Sequence, residues 1–309
     1  MKRKVDLGQG HDLEIHELTG AMPGPVLAVL GGVHGDELEG IMAARMVIQR
    51  VLDGAPFAGT VRVVPVSNPS AYRARQRVSP IDETNLARVF PGDPNGSLTQ
   101  RIAHVITDQV ITGADLLIDL HSSGVKYQMP VFAGCVIDPA TSNAARAATY
   151  AFGAPVVWEH EGSSSGRSLS VAADLQIPSI YVEGSGGGGL IGADLDIYID
   201  GVMRVMRWLS MTTTDFDPPP PPLRLLGGEG DTDASLSCSV DGLCVTRVRS
   251  TEVVAKGVLL ADILDPVGQV VQQLHSPSDG IVMMLRRQAD VQAGDGIVML
   301  GPVPAAGPS

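Results

Sequence analysis

Asp217 is followed by five consecutive prolines, Pro218–Pro222. Proline fixes φ and lacks a backbone N–H, so such a run can be neither helix interior nor central strand. It reads as an extended, semi-rigid spacer and divides the chain into residues 1–216, a linker over 217–222, and residues 223–309. The two flanking parts are patterned differently. In the first, residues 25–31, 60–66, 115–120, 130–136 and 178–183 are apolar runs of strand length. Between and after them, residues 37–53, 97–112, 139–152 and 194–210 carry apolar side chains at helical spacing, as with Leu38, Ile41, Met42, Ile48, Val51 and Leu52. Strands alternating with helices imply an α/β domain with a mostly parallel sheet. Residues 67–96 read as one long polar loop, and loops of that length are commonly functional. After the prolines, short β-type stretches such as Val245–Val248, Gly257–Ile263 and Gly280–Leu285 alternate with glycine turns. No helical period is seen there, so a small all-β module with a frayed tail is expected.

Composition narrows the function classes. The chain has 309 residues, 44% of them apolar, which is enough for a sizeable core. A formal charge of −12 repels phosphate backbones and argues against a nucleic-acid partner. Cys135, Cys238 and Cys244 are too few and too scattered for a disulfide framework, and unpaired thiols suit a cytoplasmic protein. The basic start, Met-Lys-Arg-Lys-Val-Asp, is followed by no apolar h-region, so no signal peptide is expected. No apolar run reaches membrane-spanning length, so no membrane partner is expected either.

Ligands of open α/β sheets bind beyond the carboxyl ends of the strands. Three polar clusters fall there. His34 and Glu37, in Gly-Gly-Val-His-Gly-Asp-Glu, follow the first strand; Asp119 and His121 close the 115–120 strand; Glu183, before Gly-Ser-Gly-Gly-Gly-Gly, closes the 178–183 strand. A lone His-x-x-Glu is often accidental, a lone strand-end histidine is usually just hydrogen-bonded, and Glu183 alone could be a turn carboxylate. Their coincidence at one sheet edge favours chemistry. Two histidines and a glutamate form a zinc set that leaves a fourth position for water. Glu183 is then the spare carboxylate able to move a proton, and Asp36 or Asp119 could orient a ligating imidazole. In the long loop, Arg73, Arg75 and Arg77 follow Asn68-Pro69, and Asn85-Leu86-Ala87-Arg88-Val89-Phe90-Pro91-Gly92 comes later. Arginines there suit recognition of a carboxylate, and Ser163–Ser165 with Arg167 could wall a cleft. His11, His16, His104, His160 and His275 have no comparable context. No Gly-x-Ser-x-Gly elbow is present, and the glycines after Glu183 do not make a dinucleotide fingerprint.

Together, Gly-Gly-Val-His-Gly-Asp-Glu, Asn-Pro-x-Ala, Asn-Leu-x-Arg-Val-Phe-Pro-Gly, Asp-Leu-His-Ser and Val-Glu-Gly-x-Gly resemble the succinylglutamate desuccinylase/aspartoacylase family over about residues 20–303. The resemblance implies a zinc-carboxypeptidase-like α/β/α domain and a C-terminal module similar to a barrel-sandwich hybrid. It implies Zn²⁺ on His34, Glu37 and His121, with Glu183 as general base and acid. Arg77, Asn85, Arg88 and Arg167 are the expected substrate-binding residues, and the implied reaction is hydrolysis of a small N-acyl amino acid. One position departs from the pattern: Ala87 stands where the family usually has a second asparagine beside the arginine, which opens the substrate class. A carboxypeptidase acting on short peptides and a non-catalytic binding protein of the same fold are the rival readings. A homo-oligomer is left open.

Overall fold

The computed structural model describes residues 1–162, 164–228, 230 and 234–305. Ser163 of the expected cleft wall and residues 306–309 of the expected tail lie outside them. The chain opens with a hairpin, β1 (Lys2–Gly8) and β2 (His11–Thr19), followed by β3 (Met22–Gly31), α1 (Leu38–Asp53), β4 (Ala58–Val64), α2 (Pro69–Ala74) and α3 (Leu98–Ile106). Then come β5 (Leu116–Leu120), β6 (Tyr127–Gln128), β7 (Phe132–Val136), α4 (Ser142–Phe152), β8 (Val156–His160), α5 (Ser168–Asp174), β9 (Ser179–Glu183), α6 (Gly192–Trp208) and β10 (Leu223–Leu226). All of these strands except β6 form one nine-stranded mixed sheet, ordered β1-β2-β4-β3-β5-β9-β7-β8-β10. The run β4-β3-β5-β9 is parallel, as are β7, β8 and β10, and the two blocks meet antiparallel at β7/β9.

The strand pattern builds a three-layer sandwich. Along β3, Leu27 and Val29 pack with residues of α1, α4 and α6 on one face, while Ala28 and Leu30 pack with α3 and α5 residues on the other. That alternation is why the strand reads as continuously apolar. On β5 it sends Ile118 and Leu120 to the first face and Leu117 to the second, so the buried Asp119 joins Leu117 on the α3/α5 side.

The remaining strands are β11 (Leu236–Ser237), β12 (Gly242–Thr246), β13 (Val253–Val254), β14 (Leu259–Leu264), β15 (Val270–His275), β16 (Gly280–Arg286), β17 (Asp290–Val291) and β18 (Gly296–Gly301). They form two antiparallel sheets, β11-β18-β16-β13 and β15-β14-β12-β17, over a core that includes Leu260, Ile263, Val282 and Ile297. β6, from the larger part, pairs with β16. Ile281, Met283 and Met299 pack onto Phe132, Trp158 and Leu225. Each such side chain fully buried contributes about 1.5–3 kcal/mol, which seats the module on the β7/β8 end of the large sheet.

Several details correct the sequence reading. Residues 223–226 are not the start of the β module: they form β10, parallel to β8 in the large sheet, and the proline run leads into that edge strand. Residues 67–96 are not wholly loop, because Asn68 caps α2 through its side chain and a 3-10 turn spans Leu86–Arg88. The helix over 97–112 ends at Ile106 and continues as a π turn through Ile111. The β1–β2 hairpin, β8 and α5 were not anticipated. β1 is charged along an exposed edge, and β8 and α5 are only 5 and 7 residues long.

Candidate metal centre and cleft

Two close backbone approaches place the first cluster. A Cβ on Gly35 would sit 2.0 Å from the backbone of Ala71, so the turn after β3 can lie directly on α2 only with glycine there. A Cβ on Gly40 would sit 2.2 Å from the Leu120 carbonyl oxygen, so glycine lets α1 descend onto β5. These approaches bring Glu37, just before α1, against His121, just after β5.

His34, Glu37 and His121 are 3%, 1% and 9% exposed. One candidate ligand atom from each lies within 4.8 Å of the others. His34 Nδ1 is 2.8 Å from Glu37 Oε1, and His121 Nδ1 is 2.9 Å from Glu37 Oε2. The opposite ring nitrogens are held from behind. His34 Nε2 meets Asn85 Oδ1 at 3.1 Å, and His121 Nε2 meets Asp119 Oδ2 at 3.2 Å. Asp119 in turn accepts from the Ser168 hydroxyl at the start of α5. Arg77 Nη1 donates to Glu37 Oε1 at 2.8 Å and the Ser122 N–H to Glu37 Oε2 at 3.2 Å. The Tyr198 hydroxyl donates to the His121 carbonyl at 2.6 Å.

This set fits a metal ion. Despite its proximity to Glu37, the buried His34 Nδ1 makes no hydrogen bond, so its lone pair and the carboxylate oxygen converge without being aligned on each other. Both imidazoles present Nδ1 to the carboxylate and have the other nitrogen fixed by an oxygen acceptor, the arrangement that orients ligating histidines.

Burial and neighbouring charge pull the pKa values of these groups apart. Burial pushes the His34 imidazole down to about 4 against the pull of Glu37. Burial would raise Glu37, but the two histidines outweigh it and hold the carboxyl well below its usual range. Burial opposes a charge on His121, yet Asp119 and Glu37 together raise it well above the ordinary histidine value. Glu183 moves oppositely to Glu37: burial first, then the Glu37 charge, lifts it to about 8. Its Oε2 is buried without a hydrogen-bond partner.

The two histidines and Glu183 border a cleft of about 380 Å³. His34, His121, Glu183, Arg77, Arg167 and Ala87 line it, with Asp119, His160 and Tyr181. A second cavity of about 670 Å³, reaching Glu37 and, in the β module, Ser235 and Gly296, shares Arg77 and Glu183 with the first. Of the four residues expected to bind substrate, Arg77 and Arg167 line the first cleft. Asn85 and Arg88 do not: the Asn85 side chain is spent on His34 and the Ala87 N–H, and Arg88 donates to the Ala87 carbonyl. Asp119 takes the orienting place behind His121, whereas Asp36 lies against Gly124.

His160 and Tyr181 were missed from sequence. The Tyr181 hydroxyl lies 3.0 Å from His160 Nε2, and both are buried beside Trp158. His160 ends β8 as His121 follows β5, so recognition of that strand would have flagged it. Glu39 was missed as well: it is 3% exposed and tied to both Ser122 and Gly186.

A mixed α/β/α sheet with this second antiparallel module is the zinc-carboxypeptidase-like class of fold. The chain belongs to the succinylglutamate desuccinylase/aspartoacylase family, whose catalytic-domain model matches residues 23–209. It is 30% identical to an N-alpha-acetyl-L-2,4-diaminobutyric acid deacetylase of Halomonas elongata over 91% of this chain and 83% of that protein. Among solved structures, the product-bound ectoine utilization protein of Ruegeria pomeroyi superposes with a TM-score of 0.87 at 28% identity, covering 95% of this chain and 90% of that one. A succinylglutamate desuccinylase from a Silicibacter species gives a TM-score of 0.87 at 26% identity, covering 96% and 89%. Cys135, Cys238 and Cys244 are buried and free, and among the described residues no helix is long and apolar enough to cross a membrane.

Proposed function

We propose that the protein hydrolyses the amide bond of a small N-acyl amino acid, with Zn²⁺ held by His34, Glu37 and His121. The observation that carries this reading is the convergence of His34 Nδ1, His121 Nδ1 and Glu37 beside Glu183, whose Oε2 is buried with no hydrogen-bond partner. A zinc ion bound there supplies a Lewis acid and lowers the pKa of water to about 7.

This chain's residues do the rest. Glu183, which lines the cleft beside the two histidines, takes a proton from the attacking water and returns it to the nitrogen as the C–N bond breaks. The products are a carboxylate and a free amine. Arg77 offers N–H donors where negative charge develops on the carbonyl oxygen. Arg167, on the cleft wall, grips the substrate carboxylate with its planar fork. Asn85 and Asp119 keep His34 and His121 aimed at the ion. Ala87 leaves room on the wall, so a larger leaving amino acid can enter there.

The second cavity beside Glu183 favours a rival, a carboxypeptidase acting on short peptides. A panel separates the two: N-acetyl-2,4-diaminobutyrate, suggested by the Halomonas relative, N-acetyl and N-succinyl amino acids, and di- and tripeptides, with amine release as the readout. Turnover of N-acyl amino acids that is lost on chelation and restored by zinc is expected. Turnover of peptides alone would establish the rival, and no amine release from any zinc-loaded reaction would sink both.

A further inference from the structure

Glu39 is the second residue of α1, lies two residues after Glu37, and lines neither cavity described above. It is nevertheless buried and doubly engaged. Its Oε2 accepts from the Ser122 hydroxyl at 2.7 Å, and its Oε1 accepts from the Gly186 N–H at 2.8 Å. Both donors belong to segments that carry the chemistry. Ser122 directly follows His121, and its own N–H donates to Glu37 Oε2. Gly186 lies three residues past Glu183, with φ of +63°, in the glycine-rich stretch after β9. That stretch has little side-chain packing to hold it. Its other ties run to the same turn and to β6: the Ser123 hydroxyl donates to the Gly184 and Ser185 carbonyls, the Gly188 N–H to the Gly124 carbonyl, and the Gly187 N–H to the Tyr127 carbonyl. One carboxylate thus joins the three segments that present Glu37, His121 and Glu183. Near a helix N-terminus it is also favourably placed.

We propose that Glu39 is a positioning residue that fixes Glu183 relative to the His34–Glu37–His121 set. It acts through the Ser122 and Gly186 backbone segments and not on the substrate. The assignment rests on the deacylase reading for its kinetic consequence, but the strap itself is testable without turnover.

The experiment compares wild type, Glu39→Gln, Glu39→Ala and Ser122→Ala. Hydrogen exchange is followed over residues 184–189, together with kcat and KM per zinc-loaded chain on an N-acyl amino acid cleaved by wild type. Glutamine retains only one acceptor oxygen, so partial rescue relative to alanine is expected. The expected result is faster exchange over 184–189 in both Glu39 variants. With it, kcat falls about 10–100-fold for Glu39→Ala and less for Glu39→Gln, with KM within about twofold, the range found when partners behind a metal site are removed. If Glu39→Ala does not fold, Glu39→Gln and Ser122→Ala carry the same comparison. Unchanged exchange overturns the strap. Faster exchange with kcat within about twofold of wild type overturns the positioning role and leaves Glu39 structural. If wild type cleaves nothing on the panel, the deacylase reading fails and takes the kinetic role with it, while the exchange data still decide the strap.

Discussion

The inner site and the outer wall of the cleft are built on different terms. His34, Glu37 and His121 are buried at strand ends or a helix start, and each is held by a neighbouring side chain or backbone group. Arg77 and Arg167, by contrast, reach the cleft from loop or helix-entry positions, and the Arg77 side chain is 44% exposed. On the proposed hydrolytic reading, rigid strand ends fix where bond breaking happens, and adaptable loops decide which molecule is brought there. Changes at the inner set should therefore abolish chemistry whatever the substrate, whereas changes at the wall should re-rank substrates.

The largest effect is expected at Glu183. Glu183→Gln should lower kcat about 10²–10⁴-fold while zinc stays bound, as steady-state kinetics with metal analysis will show. Next comes Asp119→Asn, which replaces the carboxylate behind His121 Nε2. Zinc affinity or kcat should fall about 10–100-fold, measured by competition with a chelator and by kinetics. At the wall, Arg167→Ala should raise KM about tenfold for substrates with a free carboxylate and leave their amide analogues little affected, the scale of a lost charged hydrogen bond. Ala87→Asn should be smaller still, moving the kcat/KM ratio between large and small amino-acid substrates by about fivefold. If Ala87→Asn rivalled Asp119→Asn on every substrate, the division between inner set and wall would collapse.

A pH experiment on the metal-free protein probes the inner set alone. The folded-state pKa of Glu183 is raised from 4.5 to about 8, so the protonated carboxyl is the form that folding favours. Its contribution is full below about pH 4.5 and is lost as pH rises towards 8. Thermal melts should show Glu183→Gln gaining on wild type across that window, and parallel pH profiles would contradict the burial argument.

Sequence revealed the inner set and much less of the wall, for a physical reason. His34 and Glu37 follow the long apolar β3, His121 follows β5 and Glu183 ends β9, both mostly apolar, so their position at the sheet edge could be read from strand ends alone. His160 also ends a strand, but the Trp-Glu-His end of β8 does not advertise a buried strand. Asn85 stands among the expected substrate-binding residues because it shares the Asn-Leu-x-Arg motif in which Ala87 replaces the usual second asparagine. Only three-dimensional contact shows the amide turned to His34 and Ala87. Glu39 looked like one more acidic residue in a helix start, since its partners Ser122 and Gly186 are far away in sequence. The β10 strand escaped because the proline run marks a change of backbone regime, and the first strand beyond it returns to the large sheet before the small module begins.

Metal content of purified wild type beside His121→Ala tests the central claim most directly, with circular dichroism to confirm that both are folded. The expected result is about one zinc per chain in wild type and a near-complete loss in His121→Ala, as for a three-ligand site deprived of one ligand. A folded wild type that holds no metal after zinc is supplied, or a His121→Ala protein that keeps its full complement, would contradict it.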